Sequence, residues 1–121
     1  MMTPVPDLED SAELLRVLGH AVRLTLLSAM TDGERAVGEI ETLTGIAQPM
    51  LSQQLGVLRK SRLVETRREA KQIFYRINHD RVRDVSALMD RFAGTIAVSR
   101  AEAATMRFQD AGGAAMFARV G

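Results

Sequence analysis

Residues 43–77, "LTGIAQPMLSQQLGVLRKSRLVETRREAKQIFYRI", contain the pattern that decides the fold. Within them, residues 46–60 predict a helix, because Leu51, Leu55 and Leu58 recur at helical spacing and form one apolar stripe. The opposite face is neutral and hydrogen-bonding, and it lacks the Glu and Lys residues that are typical of a solvent-exposed helix. Such a face requires an explanation other than exposure to water.

The pattern changes after this helix. Apolar residues then recur in two short runs, which begin at Leu63 and at Ile73, and the polar stretch "RREAKQ" (67–72) separates them. Two such runs predict two strands joined by a basic turn, which is a β-hairpin.

Helical periodicity predicts three helices ahead of this stretch, at about 8–18, 20–30 and 36–45. A fifth helix is predicted from residue 79 to about residue 108, either continuous or broken at Gly94. The order of elements, with four helices before a hairpin and one after it, predicts a mainly α fold with a small β-hairpin wing, the winged helix-turn-helix.

No repeat, low-complexity segment or linker divides the 121 residues, so a single domain over 1–121 is expected. Its predicted parts are a helix-turn-helix at about 36–61, a wing at about 63–77, dimerisation helices at about 8–18 and 79–108, and a tail at 109–121.

The composition favours packed helices, because 46% of the residues are hydrophobic, only 4% are aromatic and none is Trp. The absence of Cys excludes disulfides, thiolate zinc sites and cysteine nucleophiles. The acidic N-terminus does not resemble a signal peptide, and no apolar run is long enough for a membrane span. We therefore expect a cytoplasmic protein with no membrane partner.

Charge is unevenly distributed along the chain, although the net charge is only +1. Residues 1–46 carry a net charge of −5, residues 47–76 carry +5 and residues 77–121 carry +1. A basic middle third indicates a surface that faces an anion such as nucleic acid, although a solvated basic face would look the same.

A winged helix-turn-helix inserts its recognition helix, here the fourth, into the DNA major groove, which explains the neutral face. Gln53 is suited to pair with adenine, Ser52 with a base or a phosphate, and Pro49 with a thymine methyl, while Gly56 allows the DNA backbone to approach. Gln48 is placed on the side nearer the core, with a phosphate as partner. Gln54 lies toward the buried edge and is expected to contact bases more weakly than Gln53. The complete predicted DNA-binding set is Gln48, Pro49, Ser52, Gln53, Gln54, Gly56, Arg59, Lys60, Arg67, Arg68, Lys71, Gln72 and Tyr75, in which the wing arginines and lysine contact phosphates or the minor groove.

Residues 14–78 resemble the ArsR/SmtB family of small bacterial repressors, whose members typically read "L-S-Q-x-x-x-S-x-H-L-x-x-L-R-x-x-G-L-V-x-x-R-R-E-G-x-x-x-Y-Y". This chain departs from that pattern at Ala47 for Ser, Gln54 for His, Arg62 for Gly and Phe74 for the first Tyr. Ala47 removes a side-chain helix cap, and Arg62 requires either a different turn or a non-Gly residue in the same geometry.

The resemblance implies a homodimer in which the first and fifth helices pack across a two-fold axis. The apolar surface of the fifth helix agrees, because it exceeds what a peripheral helix of a small domain buries on itself. The dimer would bind an operator with inverted half-sites about one DNA turn apart. The predicted interface residues are Leu14, Leu15, Leu18, Val85, Leu88, Met89, Phe92 and Ile96.

Family members release DNA when a metal, an oxidant or a persulfide alters the dimer. This chain has only two histidines, His20 and His79, and no Cys, so neither a metal nor another cofactor is expected. Ser28 stands where the persulfide- or oxidant-sensing subgroup has its first cysteine, and we expect it to bond back to a carbonyl one turn earlier. The effector is therefore unidentified: an uncharged organic ligand and control by abundance alone both stay open.

A homodimeric DNA-binding repressor is the function that these patterns favour. The alternative is a winged-helix module that binds another protein through its C-terminal helix. An enzyme is not expected, because the sequence has no phosphate-binding Gly-rich loop, no nucleophile–His pairing at a known spacing and no metal set.

Overall fold

Five helices and a three-stranded antiparallel sheet make up the described part of the chain, residues 7–94, in a computed structural model. In chain order they are α1 (Leu8–Leu18), α2 (Ala21–Ser28), β1 (Arg35–Ala36), α3 (Val37–Thr44), α4 (Met50–Lys60), β2 (Val64–Glu69), β3 (Gln72–Ile77) and α5 (His79–Ala93). The predicted mainly α fold with a hairpin wing is present, with one strand more than predicted.

Side chains and a glycine define the ends of α1 and α3. The Asp7 carboxylate accepts hydrogen bonds from the backbone N–H groups of Glu9 and Asp10 at 3.1 and 3.2 Å, and so caps the start of α1. Gly45 ends α3 with a φ of 73°, a left-handed conformation that glycine adopts without a steric penalty.

The helix that the sequence predicts over 46–60 begins later, at Met50. Pro49 precedes it instead of lying in its first turn. Ala47 supplies no side-chain cap, but Gln48 does, because its Oε1 accepts the backbone N–H of Ser52 at 3.1 Å. An amide side chain one residue later in the sequence thus takes over the capping hydrogen bond that Ala47 forfeits.

The end of α4 resolves the two alternatives for Arg62. Its φ is 66°, so a non-Gly residue adopts the left-handed geometry. The N–H of Leu63 donates to the carbonyl of Leu58, and the N–H of Arg62 donates to that of Arg59, both at 2.9 Å. These two bonds define a Schellman motif, which brings Leu58 and Leu63 together in the core.

The sheet has the order β1-β3-β2, and both pairs are antiparallel. Strand β1 was not predicted, because two residues have no periodicity and this strand exists only through pairing with Phe74 and Tyr75. The predicted turn over 67–72 is wrong: strand pairing continues to Glu69 opposite Gln72, and only Ala70 and Lys71 connect the strands.

A continuous apolar core joins the helices to the base of the wing. It consists of Leu14, Val17, Leu26, Met30, Ile40, Leu51, Leu55, Leu58, Leu63, Val64 and Val85. Burial of each Leu contributes about 1.5–3 kcal/mol, so the three leucines of α4 hold this helix firmly against the domain.

The chain divides into two compact units, Met1–Ser86 and Ala87–Gly121, and the core lies in the first. Helix α5 ends at Ala93, and Gly94 follows with a φ of 71°. The predicted continuation to residue 108, the interface residue Ile96 and the tail 109–121 lie outside the described residues. Over residues 7–94, no helix is long and apolar enough to cross a membrane.

Candidate nucleic-acid interface

Helix α4 presents the neutral face that its sequence predicts. Leu51, Leu55 and Leu58 are at most 1% exposed, whereas Ser52 and Gln53 are exposed. No residue of α4 is acidic, and its last turn carries Arg59 and Lys60, both exposed. The exposed face therefore combines hydrogen-bonding groups with positive charge and has no carboxylate to repel phosphates.

Gly56 lies in the middle of this face. A Cβ placed on Gly56 would have no other atom of the protein within 4 Å. The fold itself therefore does not require glycine here, in contrast to Gly45 with its positive φ. Its small size leaves open space in front of the helix.

Gln48 is exposed, and its expected position nearer the core is wrong. Because its Oε1 already accepts the N–H of Ser52, Gln48 fixes the start of α4. Its role as a phosphate contact stays a prediction, and its Nε2 amide donors are the atoms suited to that role.

Gln54 lies at the half-buried edge of α4, as its helical position predicts. Its Oε1 accepts a hydrogen bond from Nε of Arg23 at 2.9 Å. Arg23 also donates from Nη1 to the carbonyl of Val17 at 3.2 Å. Gln54 thus links α4 through Arg23 to α1, which is a structural task that sequence reasoning missed.

The two faces of the wing follow from strand alternation. Val64, Thr66 and Arg68 of β2 lie on one face, opposite Ile77, Tyr75 and Ile73. Tyr75 and Ile77 pack against the core, so this is the inner face. Arg67 lies on the outer face, opposite Phe74. The two adjacent arginines therefore project from opposite sides of the sheet.

Arg67 is held by the protein itself. Its Nε donates to Oε2 of Glu34 at 2.9 Å, it forms a second ion pair with Glu69, and its guanidinium lies 4.7 Å from the ring centroid of Phe74. The hydrogen bond from Arg67 lowers the pKa of the Glu34 carboxyl, and the same bond raises the pKa of Arg67. This clamp fixes the wing to the segment before β1.

Arg68 and Lys71 are the wing cations best placed to meet an anion. Both are exposed, and neither forms an ion pair with any residue between Asp7 and Gly94. Gln72 is exposed as well. Tyr75, in contrast, is half-buried against the core and is not part of the exposed face.

The predicted dimer-interface residues fall into two groups. Leu14 has no exposed surface and Val85 retains 8%, because both belong to the core, so Leu14 cannot contact a partner in this conformation. Leu88 is buried and Leu18 half-buried. Exposed apolar surface remains on Leu15 of α1 (36%) and on Met89 (39%) and Phe92 (72%) of α5.

Sequence reasoning also missed the ion pair between α1 and α5. Arg81 is 11% exposed and donates from its two Nη atoms to the carboxylate of Asp10 at 2.6 and 2.7 Å. The two residues are 71 positions apart, so no local pattern predicts their pairing.

Ser28 behaves as expected from its position late in α2. Its Oγ donates to the carbonyl of Leu24, one turn earlier, at 2.9 Å. This hydroxyl therefore has a local structural partner.

Comparisons with known proteins agree with this geometry. The profile of the family described as "Bacterial regulatory protein, arsR family" matches residues 20–66. A "Biofilm growth-associated repressor" from Xylella fastidiosa is 59% identical over 68 residues, which are 56% of this chain and 60% of that repressor. The chain thus spans about three fifths of the length of this curated relative.

Solved structures extend the likeness to the fold. The crystal structure of the transcriptional repressor BigR from Xylella fastidiosa matches with a TM-score of 0.58 and 52% identity, covering 69% of this chain and 87% of that one. The NMR structure of a homodimeric winged helix-turn-helix DNA-binding domain from Mycobacterium bovis, a possible ArsR-family regulator, matches with a TM-score of 0.59 and 34% identity, covering 77% and 91%. With more than half of the residues identical across nearly all of the BigR chain, this protein belongs to the ArsR family of bacterial regulatory proteins.

Proposed function

We propose that this protein is a homodimeric transcriptional repressor that binds operator DNA through α4 and the wing. The observation that carries the proposal is the exposed, acid-free face of α4, with Ser52 and Gln53 on it and open space at Gly56. Side-chain amides and hydroxyls are the groups that read base edges in the major groove. DNA as the partner also implies the cytoplasm as the place of action.

The wing supplies the second contact in this proposal. Arg68 and Lys71 would contact phosphates beside the groove, because their charges are not neutralised within the described chain. Arg67 has a different role: its guanidinium is bound to Glu34 and Glu69, and it positions the wing.

A homodimer would place two copies of α4 on two inverted half-sites about one DNA turn apart. Two observations support it: the M. bovis relative is described as homodimeric, and α1 and α5 retain exposed Leu15, Met89 and Phe92. Burial of such residues against a second copy would remove apolar surface from water.

The test is selection of bound fragments from genomic DNA, followed by measurement of affinity for the selected operator. Gln53→Ala should weaken binding by about 1–3 kcal/mol and relax the preference at one base position of each half-site. Thr25→Ala is the matched control, because Thr25 is exposed on α2 and its hydroxyl donates locally to the carbonyl of Ala21, one turn earlier.

Unchanged affinity and unchanged base preference in Gln53→Ala would show that α4 does not read DNA. A monomer by analytical ultracentrifugation that also fails to bind DNA would instead support a module for binding other proteins. The dimer itself is tested by Phe92→Glu, which should dissociate it if α5 forms the interface.

A further inference from the structure

A cleft of about 600 Å³ lies beside α4, on a different part of the surface from Ser52 and Gln53. Residues of α1, α2 and α4, the turn after α4 and the first turn of α5 line it, and all of them lie in the first compact unit. Its charged lining residues are Arg16, Arg23, Lys60, Arg62 and Arg81, with Glu13 as the one acidic residue among them.

A second cleft does not share this excess of positive charge. This second cleft, of about 550 Å³, is lined by three carboxylates, those of Glu34, Glu65 and Asp80, against the two guanidinium groups of Arg76 and Arg83. The two clefts are similar in size, but the net charge of their lining residues differs in sign. The α4 cleft is one in which field lines from several cations converge.

Two of its cations already have partners. Arg81 is bound to Asp10, and Arg16 is bound to Glu13. Lys60 and Arg62 form no ion pair with any residue in the described range 7–94, although the Asp10 carboxylate, bound to Arg81, also attracts Arg62 electrostatically. Two cations without a direct ion pair, two residues apart at the turn after α4, are suited to hold two anionic groups of one ligand.

Backbone hydrogen bonds moderate the negative end of the α4 dipole at this place, and the cations of the turn outweigh it. The carbonyls of Val57, Leu58 and Arg59 accept hydrogen bonds from Ser61, Leu63 and Arg62. Their partial negative charge is therefore directed into these bonds. The same bonds fix the backbone from which Lys60 and Arg62 extend.

Arg23 connects the cleft to the recognition face. It lines the cleft, and its Nε holds Oε1 of Gln54 on α4 at 2.9 Å. An anion that attracts the guanidinium of Arg23 competes with Gln54 for that donor. Loss of this bond would release the half-buried edge of α4 from α1.

We infer that this cleft binds a small, multiply charged anion, such as a phosphorylated or polycarboxylate metabolite, and that its binding weakens the hold of α4 on DNA. Binding of the anion is independent of the function proposed above. The effect on DNA rests on that proposed function.

Binding is tested by isothermal titration of the full chain, without DNA, using pyrophosphate and citrate as probes and chloride as the reference anion. Saturable binding of at least one probe is expected. The Lys60→Gln, Arg62→Gln double variant should bind about tenfold or more weakly, because two charge-assisted contacts are lost. Arg83→Gln, in the second cleft, should bind like the unchanged protein.

Circular dichroism of the variants verifies that they are folded. Absence of saturable binding for both probes overturns the site, and so does a folded double variant that binds as tightly as the unchanged protein.

The effect on DNA is tested by operator affinity with and without the bound probe, at ionic strength matched with chloride. Weaker operator binding in the presence of the probe is expected, and Arg23→Ala should remove the difference. If the probe binds and operator affinity is unchanged, the coupling is wrong while the site stands. If the protein binds no DNA at all, the proposed function fails while the titration still decides the site.

Discussion

At the scale of single residues, two non-glycine residues in the described range 7–94 adopt a positive φ: Arg62 at 66° and Ala70 at 57°. Both residues lie in sharp turns, Arg62 at the end of α4 and Ala70 at the tip of the wing. A left-handed conformation costs an L-residue about 1–2 kcal/mol, and only neighbouring contacts maintain it. At Arg62 these contacts are the two backbone bonds of the Schellman motif.

Arg62→Gly should therefore make the protein more stable by about 0.5–1 kcal/mol, since relief of the strain exceeds the greater freedom that glycine gives the unfolded chain. Urea unfolding measures the change. Arg62→Ala is the control, because it removes the same side chain and keeps the Cβ. Equal stability of the Gly and Ala variants would refute the argument.

At the scale of elements, we propose that the two adjacent arginines of the wing have different tasks, Arg67 a structural one and Arg68 contact with DNA. Strand alternation sends Arg67 to the outer face, where Glu34 and Phe74 bind it, and Arg68 to the inner face near the tip. The ion pair between Arg67 and Glu34 attaches the hairpin to the domain at an additional point. This contact restricts movement of the hairpin relative to the helices.

Arg68→Ala should reduce the slope of log affinity against log salt concentration by about 1, because one phosphate contact is lost. Arg67→Ala should instead lower the unfolding temperature and leave that slope nearly unchanged. Operator titrations at several salt concentrations, combined with thermal unfolding, distinguish the two. Equal salt slopes for the two variants would contradict the separation of roles.

The sequence predicts the helices of this fold well, and α1 has its predicted bounds, because capping and periodicity are local signals. Strand β1 was missed, since it depends on pairing with a strand almost 40 residues later. The sequence of the strand Val64–Glu69 also contains information about the two arginines. Because successive side chains of a strand point to opposite faces, Arg67 and Arg68 must lie on opposite sides of the sheet. A prediction based on charge alone gives both arginines a DNA contact, because it ignores the face of the strand from which each side chain projects.

At the scale of the whole molecule, the contacts that hold α1, α4 and α5 together are distant in sequence. Asp10 with Arg81 and Arg23 with Gln54 are 71 and 31 positions apart. In the sequence alone, each of these polar residues resembles an ordinary surface residue. Such pairs become visible only after the helices are packed, which is why sequence reasoning predicted the exposed neutral face of α4 and missed the contacts that support it.

The Asp10–Arg81 pair predicts a dependence of stability on pH. The hydrogen bond from Arg81 lowers the pKa of Asp10 below its ordinary value of 3.8, against a smaller opposing effect of burial. The folded state thus binds this proton more weakly than the unfolded state. The contribution of the pair is complete above the unfolded pKa and is lost as the pH falls through the lower, folded pKa.

Asp10→Asn should therefore unfold at a lower temperature than the unchanged protein at neutral pH, and this difference should shrink as the pH falls below about 4. Thermal unfolding across that pH range measures it. Glu13→Gln is the control, because the Glu13–Arg16 pair is mostly exposed and should matter less. A difference that stays constant down to acid pH would exclude the ion pair as its cause.

Gly56 lies in the middle of a helix, although the fold leaves room for a side chain there. A glycine within a helix destabilises it by roughly 1 kcal/mol relative to alanine, and here nothing within 4 Å requires the omission of a methyl group. Gly56→Ala should thus raise the free energy of unfolding by about 0.5–1 kcal/mol while it weakens operator binding. A variant with a higher free energy of unfolding and a lower operator affinity would show that glycine is retained here for DNA binding and not for stability. A screen for stability alone would then replace the native residue.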